Sequence, residues 1–127
     1  MPMIASWPGT IPAGTTSDHI AAFWDILPTF AEAAELEPVP GTDGISFLPT
    51  LLGDPQEEHE YLYWELLLDG SWNEMQDGGF RQAVRKGKWK AVRYGAASSV
   101  SLYDLSNDEE ESTDIASRYP SVATRMV

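Results

Sequence analysis

The first half of the chain alternates short apolar runs with breaks that predict a strand and then a helix. Residues 3–7 are mostly apolar and end at Pro8-Gly9, a pattern typical of a buried strand followed by a turn. Apolar residues recur at helical spacing from Asp25 to Leu36, with Asp25 placed as the N-cap and Pro28 in the first turn. Residues 47–53 predict one short helical turn before another break at Asp54-Pro55.

The second half predicts an antiparallel sheet. Residues 61–68 are dense in aromatic and aliphatic side chains, which favours a strand that is covered on both sides or lies centrally in its sheet. Residues 82–85 and 89–94 are two strand-like runs around Lys86-Gly87-Lys88, where the glycine suits a tight hairpin. Residues 99–105 predict another strand.

Two features close the predicted order of elements. Residues 108–111 are an acidic turn in contact with solvent, and residues 117–127 predict a final helix with Pro120 in its first turn. The chain therefore reads as strand, helix, three or four antiparallel strands and helix, without internal repeats. The predicted fold class is α+β.

Composition and charge narrow the possible functions. The 127 residues are 43% hydrophobic and carry a net charge of −12. Six of the eight basic residues lie within residues 81–93, which contain no acid, so the remaining residues carry −18. Such an acidic surface repels a phosphate backbone, which argues against nucleic-acid binding. The absence of cysteine excludes disulfides, zinc-thiolate sites and thiol catalysis.

Five motifs in order carry a resemblance to a known family. They are Phe23–Thr29 (FWDILPT), Asp43–Gly53 (DGISFLPTLLG), His59–Glu65 (HEYLYWE), Gln82–Lys90 (QAVRKGKWK) and Leu102–Leu105 (LYDL). Together they resemble the C-terminal part of a type I sulfatase of the arylsulfatase family, a class of sulfuric ester hydrolases. The resemblance covers nearly the whole chain.

The resemblance implies both architecture and chemistry. It assigns residues 1–53 to the tail of an α/β domain, and residues 54–127 to a subdomain of about four antiparallel strands packed with a terminal helix. Family members use a formylglycine, made from the Cys or Ser of a Cys/Ser-x-Pro-Ser/Ala-Arg motif, and a divalent cation, usually calcium. The chain has no such motif, and the family's metal ligands lie upstream of the matched region. We therefore expect no catalytic residue, no metal ligand and no turnover by this chain alone.

Five residues are predicted to contact substrate. The resemblance places Trp64, Glu65 and Gln82 near loops that border the substrate pocket, and Trp72 is a stacking platform for a sugar or aryl group. Arg85 belongs to the basic segment, whose cations and aromatic rings suit a sulfated sugar. Trp72 and the basic segment also have a structural interpretation: Trp72 covers the core, and the basic side chains solvate a hairpin and offset nearby acids.

Two classes of function follow. The first is a C-terminal fragment that completes a sulfatase fold and borders its cleft, with the N-terminal sulfatase domain as partner. The second is a recognition or pseudo-enzyme module that binds sulfated carbohydrate or a protein. The resemblance implies that the apolar residues of the N-terminal segment pack against a sheet that lies upstream of the matched region. We therefore expect the chain alone to self-associate through this segment. No signal peptide or membrane span is expected in the chain, and the compartment stays open, although the family is often periplasmic or exported in bacteria.

Overall fold

A computed structural model describes residues 3–67 and 80–126. The chain divides into two compact units, Met1–His59 and Glu60–Val127. Within the described ranges, no helix combines the length and the apolar composition that a membrane span needs.

The N-terminal unit contains a 3₁₀ turn at Phe23–Asp25 and two helices, α1 (Ile26–Ala33) and α2 (Leu48–Leu52). Helix α1 is shorter than predicted because the chain turns away after Ala34. Glu35 takes a left-handed conformation (φ 56°), and the N–H of Leu36 folds back to donate to the carbonyl oxygen of Ala31 at 2.9 Å. Helix α2 confirms the predicted helical turn.

The strand predicted at residues 3–7 is wrong. These residues are irregular and exposed, and Ile4 is 96% exposed. A strand needs a neighbour for its backbone hydrogen bonds, and the structure shows none for this segment among the residues it describes. The predicted turn does form: the carbonyl oxygen of Trp7 accepts from the N–H groups of Thr10 and Ile11 at 3.0 and 2.9 Å.

The C-terminal unit is a four-stranded antiparallel sheet followed by a short helix, which confirms the predicted α+β class. Its strands are β1 (Leu62–Leu67), β2 (Phe80–Lys86), β3 (Trp89–Tyr94) and β4 (Val100–Asp104), in spatial order β1-β2-β3-β4, and the helix is α3 (Pro120–Arg125). The β2-β3 hairpin forms as predicted. Lys86 pairs with Trp89, and Gly87 takes a φ of 56° in the two-residue turn.

Strand β1 corrects a second expectation. It lies at an edge of the described sheet rather than at its centre, and five of its six residues are exposed. Leu62, at 3% exposure, is its buried residue. The density of apolar residues in this segment therefore does not reflect cover on both faces.

The core of the C-terminal unit lies on the sheet face that carries Ala91 and Leu102. Both residues are buried, and Leu102 has no exposed surface. The segment after β4 packs along this strand: the N–H of Leu102 donates to Oδ1 of Asp114 at 3.0 Å, and the N–H of Ile115 donates to the carbonyl oxygen of Leu102 at 2.9 Å. The rings of Trp89 and Tyr119 meet at 5.3 Å between centroids.

Candidate functional site

Alternation along the strands gathers four polar side chains on one face of the sheet. Glu65 pairs with Gln82 across β1 and β2, and Gln82 pairs with Arg93 across β2 and β3. Tyr63 is two residues from Glu65 and therefore shares its face. We call Tyr63, Glu65, Gln82 and Arg93 the polar cluster.

Hydrogen bonds run through the polar cluster from one strand to the next. Arg93 donates through Nε to Oε1 of Gln82 at 2.9 Å and also through Nη2. Gln82 in turn donates through Nε2 to the hydroxyl of Tyr63 and to Oε2 of Glu65, the latter at 3.1 Å. The hydroxyl of Tyr63 donates to the same Oε2 at 2.5 Å. Each side chain is thus held by at least one neighbour.

These contacts shift two pKa values in opposite directions. The hydrogen bond from Tyr63, followed by that from Gln82, lowers the pKa of Glu65 below its ordinary value. The hydrogen bond to Glu65 raises the pKa of Tyr63. At neutral pH the carboxyl group is therefore ionised and the phenol keeps its proton, which fixes the donor and the acceptor of their shared bond.

A cavity of about 260 Å³ adjoins the polar cluster, and we call it the sheet cavity. Its polar lining comes from Tyr63, Gln82 and Arg93. Its apolar lining comes from small and medium side chains of three strands and from the C-terminal segment, namely Ala83, Val84, Ala91, Val100 and Met126. An apolar surface with a few convergent polar groups is the usual composition of a small-ligand site.

The structure brings together two of the five predicted site residues, Glu65 and Gln82. Alternation places Trp64 and Arg85 on the opposite face of the sheet, where Arg85 pairs in register with Leu62 and donates to the carbonyl oxygen of Gly87 at 3.3 Å. Trp72 lies outside the described residues. The contact of these residues with substrate stays a prediction.

Sequence reasoning missed Tyr63 and Arg93 as members of the cluster. Alternation along β1 places Tyr63 on the face of Glu65, and the register of the predicted hairpin reveals Arg93. Because Lys86 pairs with Trp89, counting back along both strands pairs Gln82 with Arg93 and places their side chains on one face. Tyr63 lies within the His59–Glu65 motif, and Arg93 lies three residues after the end of the Gln82–Lys90 motif.

The lysines of the basic segment form ion pairs, which confirms their predicted role in offsetting nearby acids. Lys86 meets Glu60 at 2.8 Å, Lys88 meets Asp104 at 2.7 Å, and Lys90 meets Glu111. The ion pair with Lys88, aided by the hydroxyl of Ser106, lowers the pKa of Asp104 to about 2. Each of these three lysines would have to break its ion pair before its ammonium group could bind a ligand.

A second polar group lies buried in the N-terminal unit, around Asp25. The side chain of Asp25 accepts hydrogen bonds from the N–H groups of Ala22 at 2.6 Å and Ile45 at 2.9 Å, and its Oδ1 lies 2.8 Å from Nε2 of His59. The hydroxyl of Thr29 donates to the carbonyl oxygen of Asp25 at 2.6 Å and accepts from the N–H of Phe47 at 3.0 Å.

This arrangement corrects the expectation that Asp25 caps α1 through its side chain. Asp25 precedes α1, but its carboxylate makes no capping hydrogen bond to that helix. His59 is largely buried against Asp25. The hydrogen bonds that this group makes among the described residues all join parts of the same unit, which favours a structural role for it. Among the residues that the structure describes, no three His, Asp or Glu side chains are grouped as metal ligands.

Comparison with known proteins shows which family the chain is similar to. The family model described as N-sulphoglucosamine sulphohydrolase, C-terminal, matches residues 1–126. Mouse (Mus musculus) arylsulfatase K is 27% identical over 128 residues, which are 96% of this chain and 22% of that protein. An ulvan-active sulfatase from Formosa agariphila is 41% identical over 63 residues, 50% of this chain and 13% of that protein.

A solved structure has the same fold. BT4656, determined in complex with its substrate D-glucosamine-2-N,6-O-disulfate, superimposes with a TM-score of 0.75 at 21% identity, over 94% of this chain and 25% of that one. At this identity the likeness concerns the fold alone. The chain spans less than a quarter of the length of these relatives.

Proposed function

Because the chain belongs to the family of C-terminal sulfatase domains, we propose that it completes the fold of a sulfuric ester hydrolase and borders its substrate cleft. The observation that carries the proposal is the family match over residues 1–126, together with relatives at least four times longer. In this proposal the C-terminal domain supplies packing and substrate contacts, while the reacting groups belong to the N-terminal sulfatase domain.

The division of roles rests on the sequence. A sulfatase of this class needs a formylglycine and a divalent cation, usually calcium, and the formylglycine arises from a Cys or Ser within a specific motif. The chain contains no cysteine, and none of its serines stands in that motif. We therefore propose that the chain alone does not hydrolyse sulfate esters, and that its partner domain holds both the formylglycine and the cation.

The surface of helix α1 supports a packing role. Phe23, Leu27 and Phe30 recur at helical spacing and are 72%, 57% and 69% exposed, while Asp25 and Thr29 face the interior. A contiguous apolar surface of this kind marks an interaction site in a soluble protein. In the proposed function it packs against the N-terminal sulfatase domain; when the chain is isolated, the same surface drives self-association.

Two measurements test this proposal. The purified chain, supplied with calcium, is expected to show no turnover of 4-methylumbelliferyl sulfate above that of a blank purification. The reading frame upstream of Met1 is expected to encode the Cys- or Ser-centred motif and the Asp-rich cation ligands. Cation-dependent turnover by the chain alone, or a complete unrelated gene directly upstream, contradicts the proposal.

A second candidate function is a recognition or pseudo-enzyme module that binds sulfated carbohydrate without chemistry. The observation that favours it is the sheet cavity, because a module of this kind requires a ligand site within its own residues. The upstream reading frame separates the two candidates: a catalytic motif there supports the fragment, and its absence supports the module.

A further inference from the structure

An aspartate followed by a glycine is the sequence in which the backbone most readily attacks an acidic side chain, because glycine has no Cβ atom to hinder the approach. The described residues contain one such pair, Asp43-Gly44, in the loop between α1 and α2. We infer that this pair is a site of isoaspartate formation, which the folded N-terminal unit suppresses and which opening of that unit permits.

The reaction needs no enzyme and no co-reactant other than water. The backbone nitrogen of Gly44 attacks Cγ of the Asp43 carboxyl group, the N–Cγ bond forms, and the carboxyl hydroxyl leaves with the amide proton as water. A second water then opens the succinimide ring. When it breaks the bond from the Gly44 nitrogen to the main-chain carbonyl carbon of Asp43, the chain runs on through Cγ. The product keeps the mass of the original chain but has one more backbone atom.

The side chain of Asp43 is available for this reaction. It is exposed, and it makes no hydrogen bond or ion pair with any other residue that the structure describes. Turning the carboxyl group toward the backbone therefore breaks no contact among these residues. The resistance to ring closure in the folded chain comes from Gly44.

Three contacts hold the backbone at Gly44. Its N–H donates to Oγ1 of Thr42 at 3.1 Å. Its Cα packs so closely on the main chain that a Cβ atom there would lie 2.2 Å from the carbonyl oxygen of Trp24. The N–H of the next residue, Ile45, donates to the buried carboxylate of Asp25 at 2.9 Å. Ring closure requires the peptide group before Gly44 to rotate, so these contacts must open first.

The additional backbone atom of isoaspartate displaces the segment that follows it. In the folded unit the N–H of Phe47 donates to the hydroxyl of Thr29 at 3.0 Å, just beyond the bond from Ile45 to Asp25. An insertion immediately before these donors moves both away from their buried acceptors, which are then left unsatisfied. Opening of the unit followed by this reaction is therefore irreversible.

The first test compares isoaspartate formation in the folded and the unfolded chain. The intact chain is incubated at neutral pH with or without guanidinium chloride, and a glutamyl endopeptidase then releases residues 36–57, which contain Asp43-Gly44 but not the other Asp-Gly pairs of the sequence, at Asp69 and Asp77. Chromatography against synthetic aspartate and isoaspartate peptides measures the product. We expect it to form at least about tenfold more slowly in the folded chain. The synthetic peptide, incubated in both solutions, corrects for the effect of the denaturant.

Matched variants connect the reaction to the structure. Thr42→Val removes the acceptor of the Gly44 N–H and is expected to raise the rate in the folded chain by about twofold or more. Thr15→Val, which removes an exposed hydroxyl bonded to Pro12 in the same unit, is expected to leave the rate unchanged.

Asp43→Glu tests the consequence for refolding. It keeps the charge at an exposed position, but its longer side chain cannot close the five-membered ring. After long incubation in denaturant, the wild type is expected to recover its native circular dichroism to an extent at least about twofold lower than that of Asp43→Glu, since the other Asp-Gly pairs age equally in both.

Four results overturn the inference: absence of isoaspartate from residues 36–57 of the unfolded chain, equal rates in the folded and unfolded chains, equal effects of Thr42→Val and Thr15→Val, or equal recovery of the wild type and Asp43→Glu. None of these measurements depends on hydrolysis of a sulfate ester, so failure of the proposed function leaves them unaffected.

Discussion

The side chains of Asp25 and His59, thirty-four residues apart in sequence, meet at 2.8 Å inside the N-terminal unit. Asp25 is 1% exposed, and the same carboxylate also accepts from the N–H groups of Ala22 and Ile45. One acidic side chain thus ties the start of α1 to two distant segments. Burial of a carboxylate is costly unless hydrogen bonds satisfy it, and here two backbone N–H donors and the imidazole of His59 converge on it.

Replacing Asp25 by Asn is expected to lower the free energy of unfolding by about 2–3 kcal/mol, because a buried hydrogen-bond acceptor is lost and its donor is left unsatisfied. The amide nitrogen of Asn must also face one of the backbone N–H donors of Ala22 and Ile45, since each carboxylate oxygen accepts one of them. Urea denaturation followed by circular dichroism measures the change. Asp18→Asn is the matched control because Asp18 is exposed. Equal stabilities of the two variants would show that the buried group contributes nothing.

A close backbone approach at Gly44 makes a second prediction. A Cβ atom at this position would lie 2.2 Å from the carbonyl oxygen of Trp24 and 2.9 Å from Cγ of Pro28. Because a backbone atom cannot yield as a flexible side chain does, Gly44→Ala is expected to destabilise the N-terminal unit by about 2 kcal/mol or more.

Gly41→Ala is the control for Gly44→Ala. Gly41 has a φ of 71° but open space around its Cα, so its replacement costs only the left-handed strain of about 1 kcal/mol. Thermal unfolding of both variants separates the clash from the backbone strain. A smaller loss for Gly44→Ala than for Gly41→Ala contradicts the predicted clash.

The pair Lys88 and Asp104 predicts a contribution to acid stability. The pKa of Asp104 falls from its ordinary 3.8 to about 2 in the folded protein, chiefly through Lys88. A lowered folded-state pKa stabilises the protein above the unfolded-state pKa, and this stabilisation is lost as the pH falls from about 4 to about 2. Lys88→Ala is therefore expected to raise the pKa of Asp104 and to remove part of that pH dependence.

The pKa of Asp104 is measured by following its side-chain carboxyl ¹³C signal through an NMR titration. Lys86→Ala provides the comparison, because Lys86 pairs with Glu60 and not with Asp104. An unchanged Asp104 titration in Lys88→Ala, or an equal change in both variants, is incompatible with the proposed cause.

The hydrogen bond from Tyr63 to Glu65 predicts a coupled titration within the polar cluster. Since Glu65 is the main cause of the raised pKa of Tyr63, Glu65→Gln is expected to lower that pKa towards its ordinary value of 10. The ¹³Cζ shift of Tyr63 reports the change. Tyr61 is an exposed tyrosine two residues away and serves as the internal reference; an identical response of both rings argues against the hydrogen bond.

The features that the sequence predicts correctly are those determined by residues close together in the chain. The turn at Gly87 follows from local backbone chemistry, and its register then determines which side chains of β2 and β3 share a face. The role of Asp25 depends on Ile45 and His59, which no local pattern connects to it. The exposure of β1 depends on its place in the sheet, because an edge strand and a central strand present the same apolar composition.

The apolar face of α1 leads to the last prediction. Phe30 lies on that face and is 69% exposed, so the isolated chain is expected to self-associate in a concentration-dependent manner. Phe30→Glu places a charge in the contact and is expected to shift sedimentation velocity profiles towards the monomer, without loss of stability, because the side chain already lies in solvent. Thr124→Glu adds the same charge on an exposed position of α3 and should leave association unchanged. A wild-type chain that stays monomeric at high concentration would refute the prediction, and equal effects of both variants would assign association to net charge rather than to this face.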